Sequence, residues 1–373
     1  MMTTSRRDFL RISAAAGLAG YLPRFDQAAA APKASGKTIL MLGGTGFLGP
    51  HVVEVAKKHG HTITLFNRGK THPQLFPDLE KLHGDRRKGD LKALEGRKWD
   101  AVVDTSARVV KEVRATATLL KDAVGQYVFI SSLSVFPDTS KPVLDESAPV
   151  ATIDNPDSED VDANYGALKA LCEKEAEKIL PGRVANVRPG LIVGPGDESQ
   201  RYTYWPVRVA RGGEVLAPGT PEDPVQYIDA RDLGEWIVKV IEDKTMGVFN
   251  AVGPKEPLGI GAMLDACNAA GGKKATFTWV DAKFLAQNKV KPWEDMPVWI
   301  PPGGKGAAAL SQVSCKKAIG KGLTFRSPED TAKATLEWFQ SLPEEKRKNV
   351  RGWLKPEREA EVLAAWHAKT ATK

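Results

Sequence analysis

The segment from Lys37 to Lys58 constrains the fold of this chain more than any other. Lys37 to Leu42 is a short apolar run rich in Ile and Leu, the pattern of a strand buried on both faces. Gly43-Gly44-Thr45-Gly46-Phe47-Leu48-Gly49 follows at once, and Val52 to Lys58 then has helical spacing, with Val52, Val53 and Ala56 on one side. A strand, a glycine-rich turn and a helix in that order predict a dinucleotide site. Gly43 allows the tight turn, Gly46 lets backbone approach a pyrophosphate, and Gly49 lets helix pack on strand. The helix N-terminus then faces the anion. Thr45, Phe47 and Leu48 complete the expected cradle.

The alternation continues. A second strand is expected over His61 to Phe66. A third ends near Gly84-Asp85-Arg86, where a carboxylate can meet an adenine amino group and where Asp85 and Arg86 are expected beside the cofactor. A fourth covers Ala101 to Val103, a helix Val109 to Val124, and a fifth strand Tyr127 to Ile130. Strand–helix alternation over about a hundred residues predicts an α/β fold with a doubly wound parallel sheet of Rossmann type. Ligands of such sheets lie beyond the strand C-termini, so Thr105, Ser106 and Ala107 are expected at the cofactor. NAD-preferring folds usually place an acid at the end of the second strand. Here Asn67 stands there, followed by Arg68 and Lys70. Uncharged Asn67 would not repel a 2′-phosphate and Arg68 could clamp it, which predicts NADP over NAD; a solvent-facing loop charge is the plainer reading of Arg68.

Three serines, Ser131, Ser132 and Ser134, follow the fifth strand. Some thirty residues on, Asn164-Tyr165-Gly166-Ala167-Leu168-Lys169 opens a helix expected to run to Leu180, with Tyr165 and Lys169 four apart and therefore on one face. A free phenol, with a pKa of about 10, is a poor base at neutral pH. A nearby ammonium stabilises the phenolate, and a serine hydroxyl can hold the same substrate oxygen. The order glycine loop, serine-rich strand end, Tyr-xxx-Lys predicts a catalytic serine among these three, with Tyr165 and Lys169 as its partners. The protein would move the proton while a nicotinamide supplies hydride chemistry.

With these residues in view the chain resembles an extended short-chain dehydrogenase/reductase of the NAD-dependent epimerase/dehydratase family. The resemblance rests on Gly43 to Gly49, Asp85, Ser131 to Val135, Tyr165 to Lys169, Arg188-Pro189-Gly190 and Tyr227 to Leu233, covering roughly Lys37 to Gly253. It implies that Ser132 is the catalytic serine and that Pro189 lines the nicotinamide pocket. Two departures narrow the chemistry. Family dehydratases carry an Asp-Glu pair directly after the catalytic hydroxyl residue, where this chain has Leu133 and Ser134. Nucleotide-sugar epimerases often have an arginine just before the Tyr-Ile stretch, where this chain reads Asp223-Pro224-Val225-Gln226.

The N-terminus reads as an address. Ser5-Arg6-Arg7-Asp8-Phe9-Leu10 has the form of a twin-arginine signal, an apolar run from Ile12 to Leu22 follows, and Ala28-Ala29-Ala30 offers a cleavage site, so residues 1–30 are set apart and export is expected. The dinucleotide-binding domain is expected over 37–190, with 225–252 returning to it. A smaller substrate lobe takes 191–224 and 253–345, and a helical tail takes 346–373. Tyr202, Tyr204 and Trp205 suit either sugar rings or simple packing, and Arg201 and Arg208 either an anionic substrate or salt bridges. Prolines 292, 297, 301 and 302 mark an irregular segment that could cover the site, and Ser327-Pro328 starts a helix to Phe339. The three cysteines, Cys172, Cys267 and Cys315, lack metal-ligand spacing and read as buried apolar residues, so no metal is expected.

The reading favoured is an exported epimerase or oxidoreductase acting on a carbinol carbon of a sugar or polyol-like small molecule, with a retained cofactor. An NADP-dependent carbonyl reductase is the alternative. A net charge of +7 also suits an RNA-binding member of the family, of the chloroplast stem-loop-binding kind, but the intact Ser132, Tyr165 and Lys169 speak against nucleic acid as the partner. No stretch reaches about 18 apolar residues, so no membrane span is expected. A homodimer is left open.

Overall fold

The computed structural model describes residues 36–137, 145–304, 312–348, 350 and 352–371. The export signal expected in residues 1–30 lies outside these. Among the described residues no helix is long and apolar enough to cross a membrane.

The glycine-loop unit folds as strand β1 (Thr38–Leu42) and helix α1 (Leu48–Lys58). There follow β2 (Thr62–Asn67), β3 (Glu80–His83), β4 (Trp99–Asp104), α2 (Val110–Leu120), β5 (Val124–Ile130), α3 (Val161–Ile179) and β6 (Val184–Pro189). After a short β7 (Ile192–Val193), α4 (Tyr204–Ala210), β8 (Gly213–Pro218) and β9 (Pro224–Asp229), helix α5 (Ala230–Glu242) leads into β10 (Gly247–Ala251), which rejoins the main sheet. That sheet has seven strands in the order β10-β6-β5-β4-β1-β2-β3, and every neighbouring pair is parallel. The chain leaves β3 at one edge and re-enters at β4 beside β1. The strand order therefore reverses between β1 and β4, the place where open α/β sheets bind ligands.

Alternate side chains of each strand enter different cores, as the two-residue period requires. Ile39, Met41, Ile63, Leu65, Val103 and Val128 pack under α1 and α5. Leu40, Leu42, Phe66, Val102, Tyr127 and Phe129 pack under α2 and α3. Both faces are covered, which is why these strands read as continuous apolar runs.

A separate core holds the second lobe. Tyr202, Tyr204 and Trp205 are all 1% exposed or less, and they pack with Met263, Leu264 and Trp299. Of the two sequence readings of these aromatics, packing is the one found. The lobe adds β11 (Gly253–Gly259), α6 (Ile260–Ala270), β12 (Ala275–Val280) and α7 (Ala282–Gln287), with β8 and β12 forming a parallel pair. The helix Pro328–Ser341 starts as expected, the Ser327 side chain accepting from Asp330 N.

Some boundaries differ from the sequence reading. Helix α1 starts at Leu48, not Val52, because the glycine loop leads straight into it. Helix α2 ends at Leu120, short of the expected Val124, and β5 begins at Val124, ahead of the expected Tyr127. Val124 and Gly125 are poor helix residues and the strand has a partner in β4 from Trp99 onward. Helix α3 begins at Val161, four residues before Tyr165, but Asn164 interrupts it at φ −127°, ψ 19°, so the regular helix resumes at Tyr165. The three cysteines are buried and free.

Candidate active site

Beyond the C-terminal ends of the strands lies a cavity of about 1150 Å³. Its order along the sheet is set by the strands that feed it. On the β2 side stand Asn67, Arg68, Lys70, Asp85 and Arg86; in the middle, the glycine loop and Thr105, Ser106 and Ala107; on the β5–β6 side, Ser132, Tyr165, Lys169 and Pro189. Every residue predicted for catalysis or cofactor binding lines this one space, including Gly43, Thr45, Gly46, Phe47, Leu48 and Gly49.

The glycine loop has the shape its residues suggest. Gly43 sits at φ +113°, and a Cβ there would lie 2.4 Å from Thr105 Oγ1. A Cβ at Gly49 would lie 2.5 Å from the Gly44 backbone, so α1 can approach the loop only with glycine at that position. A Cβ at Gly46 would meet nothing within 4 Å; it would project into open space. Helix α1 has no side-chain cap at Phe47 and no acid in its first turn. Its first N–H groups are therefore left for another acceptor, and they sit at the positive end of the helix. These features fit the pyrophosphate of a dinucleotide.

The other predicted cofactor residues divide by what their side chains already do. Asn67 donates to Gly43 O at 3.1 Å and accepts from Gly69 N at 2.7 Å, so it holds the loop as well as lining the cavity. Arg68 is exposed and has no hydrogen bond or ion pair among the described residues. The carboxylate of Asp85 accepts from Arg87 N at 3.1 Å. Arg86 is committed elsewhere. Its guanidinium makes two 2.7 Å bonds to Asp104 and one of 2.7 Å to Ser106 Oγ, and it is buried. It shapes the wall of the cavity and is not a free clamp for a cofactor phosphate.

Asp104, at the end of β4, did not stand out in the sequence. It is fully buried and takes hydrogen bonds from Arg86, from Tyr127 Oη at 2.7 Å, and from the N–H groups of Ser106 and Ala107. Burial alone would raise its pKa, but the Arg86 charge and these donors bring it below the ordinary carboxylate value. The same environment, with burial the largest cause, pushes the Tyr127 phenol well above its usual pKa, so Tyr127 serves as a donor and not as a base. No local pattern marks such a partner, because Arg86 and Asp104 are 18 residues apart and meet only across the sheet.

The proton-transfer end is built from α3 and the turn after β5. Ser132 caps the 3-10 turn Leu133–Val135, its hydroxyl accepting from Ser134 N at 3.1 Å. Leu133, directly after Ser132, is 4% exposed and packs in a core cluster, so that position carries no acid. Gly166, also missed from the sequence, presses α3 onto that turn: a Cβ there would lie 1.9 Å from Ser134 O. Tyr165 is 37% exposed and faces the cavity, and its hydroxyl has no partner among the described residues. The ammonium of Lys169 is buried. It donates to Ala107 O at 2.8 Å and Ile130 O at 2.7 Å and lies over the Phe129 ring. Burial is the main force on it and lowers its pKa from 10.5 to about 8. The sequence reading had this ammonium serving the phenol; its hydrogen bonds go instead to two backbone carbonyls.

On the far wall stand Asp197, Arg201 and Trp293, the last from the proline-marked segment. Arg208, the other arginine considered for an anionic substrate, pairs with Glu359 at 2.5 Å. Gln226, in the position where an arginine was sought, is tied to Val313 by two hydrogen bonds.

Residues 39–251 match the protein-family model described as "NAD dependent epimerase/dehydratase family". Among curated proteins, the chain is 28% identical over 259 residues to "Chloroplast stem-loop binding protein of 41 kDa b, chloroplastic" of Arabidopsis thaliana, covering 64% of each. It is 29% identical over 224 residues to "2-alkyl-3-oxoalkanoate reductase" of Stenotrophomonas maltophilia, covering 53% of this chain and 64% of that protein. The chain thus spans somewhat less than two thirds of either relative. Among solved structures, UDP-glucuronic acid 4-epimerase from Bacillus cereus in complex with NAD superposes with a TM-score of 0.60 at 15% identity, over 82% of this chain and 97% of that one. A human epimerase family protein with NADPH superposes with a TM-score of 0.54 at 21% identity, over 82% and 100%.

Proposed function

This chain belongs to the NAD dependent epimerase/dehydratase family, and from that premise we propose that it is a nicotinamide-dependent epimerase or oxidoreductase acting on a carbinol carbon of a sugar or polyol-like molecule. The observation that carries this reading is the sharing of one cavity. Ser132, Tyr165 and Lys169 line the same space as an uncapped helix N-terminus and a glycine loop.

When bound, a nicotinamide supplies the hydride acceptor and donor for the reacting carbon. The residues of the chain handle the proton and the position. The Tyr165 hydroxyl, free of other partners, gives a proton to the substrate oxygen or takes one from it. The Ser132 hydroxyl holds that oxygen in reach. Lys169 fixes the strand ends on either side of it and places a positive charge beneath them. The absence of acids at positions 133 and 134 argues against elimination of water.

For the cofactor, NADP is the proposal. Arg68 and Lys70 line the β2 end of the cavity, and no acid ends that strand. Arg68→Gln should raise KM for NADPH by roughly tenfold or more, the scale of one charged hydrogen bond, and leave NADH little changed. A wild-type preference for NADH would sink this assignment. Export by the twin-arginine route is likewise a proposal, resting on Arg6 and Arg7. Outside the cytoplasm, nicotinamide is not readily recycled, which favours a retained cofactor and a redox-neutral epimerisation. Denaturing the purified exported protein and assaying the released nucleotide tests this. Protein free of nucleotide would favour the carbonyl-reductase reading, which the likeness to a 3-oxoalkanoate reductase also supports.

A further inference from the structure

Three side chains of the far wall have no role in the chemistry above. Asp197 and Arg201 follow β7 on the β6 side of the sheet, and Trp293 comes from the segment after α7. Glu198, next to Asp197, meets His72 at 3.4 Å, so this wall reaches from the β6 side across to the loop after β2.

Asp197 is 3% exposed. One carboxylate oxygen accepts from Ser199 N at 2.9 Å; the other is shielded from solvent and has no hydrogen-bond partner among the described residues. A buried carboxylate oxygen without a donor is costly and rare. Burial also raises the carboxyl above its ordinary pKa, as expected where a donor is missing. Arg201 is held side-on. Its Nε donates to Ser199 Oγ at 3.1 Å, and its guanidinium carbon lies 5.5 Å from the centre of the Trp293 ring. Among the described residues neither of its two terminal nitrogens has a hydrogen-bond or ion-pair partner. Three other arginines of the described residues are neutralised, Arg208 by Glu359, Arg231 by Asp229, and Arg326 by Asp232. Trp293 is itself constrained. It sits at φ +65°, uncommon for a bulky residue, and its backbone N–H is shared by Met296 O and Trp299 O, each at 3.1 Å.

These three groups have complementary needs. The free edge of Arg201 offers a fork of donors to an oxyanion. The unpartnered oxygen of Asp197, four residues earlier, accepts a hydroxyl. The Trp293 ring backs the guanidinium and lines the same cavity. We propose that this wall is a substrate subsite for a hydroxylated oxyanion, so that the natural substrate is a sugar acid or a sugar phosphate and not a neutral sugar. This inference rests on the reading of the Tyr165 site as one that acts on sugars or polyols.

The test is calorimetric binding to nucleotide-saturated protein, using glucose, glucuronate and glucose 6-phosphate as probes. At least one of the two anions should bind about tenfold or more tightly than glucose, as a charged hydrogen bond predicts. The advantage should vanish in Arg201→Gln and survive in part in Arg201→Lys. Asp197→Asn should weaken all hydroxylated probes alike. Preference for glucuronate names a carboxylate, and preference for the phosphate names a phosphate. Equal binding of the three probes, or no binding of either anion, overturns the proposal. Tyr165→Phe separates this outcome from failure of the catalytic reading, because that variant should keep the charge preference. Preference retained with turnover intact in Tyr165→Phe would sink the catalytic reading and leave the subsite standing.

Discussion

Lys169 Nζ donates to the carbonyl oxygen of Ile130 at 2.7 Å, joining the middle of α3 to the last residue of β5. Tyr165 lies one turn before Lys169 on the helix, and Ser132 lies two residues after Ile130. One buried hydrogen bond thus sets the two proton-handling side chains relative to each other, and a second, to Ala107 O, adds the end of β4.

The same burial sets a pH dependence. Lys169 has a pKa of about 8 in the folded chain against 10.5 as its ordinary value. The folded state therefore releases this proton first. The penalty for burying the ammonium is fully present below pH 8 and is relieved as pH rises from 8 toward 10.5, a gain in stability of about 3 kcal/mol from this group. Activity should move the other way, since the cation is lost. We expect kcat/KM to fall on an alkaline limb with a midpoint near pH 8, while the denaturant midpoint does not fall across that limb. A rate profile flat to about pH 10, or one that merely tracks unfolding, would remove Lys169 from the mechanism.

Gly166 makes a prediction about packing. Gly166→Ala would place a methyl group 1.9 Å from Ser134 O, a backbone atom that cannot swing away. Overpacking of this kind costs about 1–3 kcal/mol. The helix should also lift from the turn that carries Ser132, so turnover should fall together with the melting temperature. Wild-type stability in this variant would show that α3 and the turn are not in the contact described.

Asp104 and Arg86 predict an acid-side effect. Replacing Asp104 with Asn leaves a buried guanidinium without its counter-charge, a loss of about 3–5 kcal/mol for such pairs. The Asp104 pKa is lowered in the folded state, so its stabilisation is present above the ordinary carboxylate value of 3.8 and is lost as pH falls through the folded value. Chemical denaturation of wild type and Asp104→Asn should differ most near neutrality and converge in acid. Curves that stay parallel down to low pH would contradict the ion pair.

Much of this was legible in the sequence, and for a physical reason. Strands buried on both faces must be apolar throughout, and the glycine loop must carry glycine at 43 and 49 to avoid its own backbone and Thr105, so both leave local marks. The Arg86–Asp104–Tyr127 network leaves none: each member is an ordinary residue for its position, and the three meet only when β4 and β5 pair. Gly166 was overlooked because it lies between two conspicuous residues and its constraint comes from a turn some thirty residues earlier. The commitment of the Lys169 ammonium to carbonyls at 107 and 130 was equally hidden, since backbone acceptors have no sequence signature.

Tyr165 gives the sharpest separation of chemistry from structure. Its side chain is 37% exposed, and its hydroxyl bonds to no described residue, so Tyr165→Phe removes one oxygen without opening a cavity or stranding a partner. Stability should change by no more than about 0.5 kcal/mol, as for other surface substitutions. Nucleotide binding should also be spared, because the glycine loop and the α1 N-terminus do not depend on the phenol. Turnover, by contrast, should fall by about two to four orders of magnitude, the usual loss when a positioned acid–base group is removed. Measuring all three on one preparation makes the result decisive. If turnover stays within about threefold of wild type while the fold and nucleotide affinity hold, another group moves the proton. The next candidate would then be Asp197, a buried carboxylate that lines the same cavity.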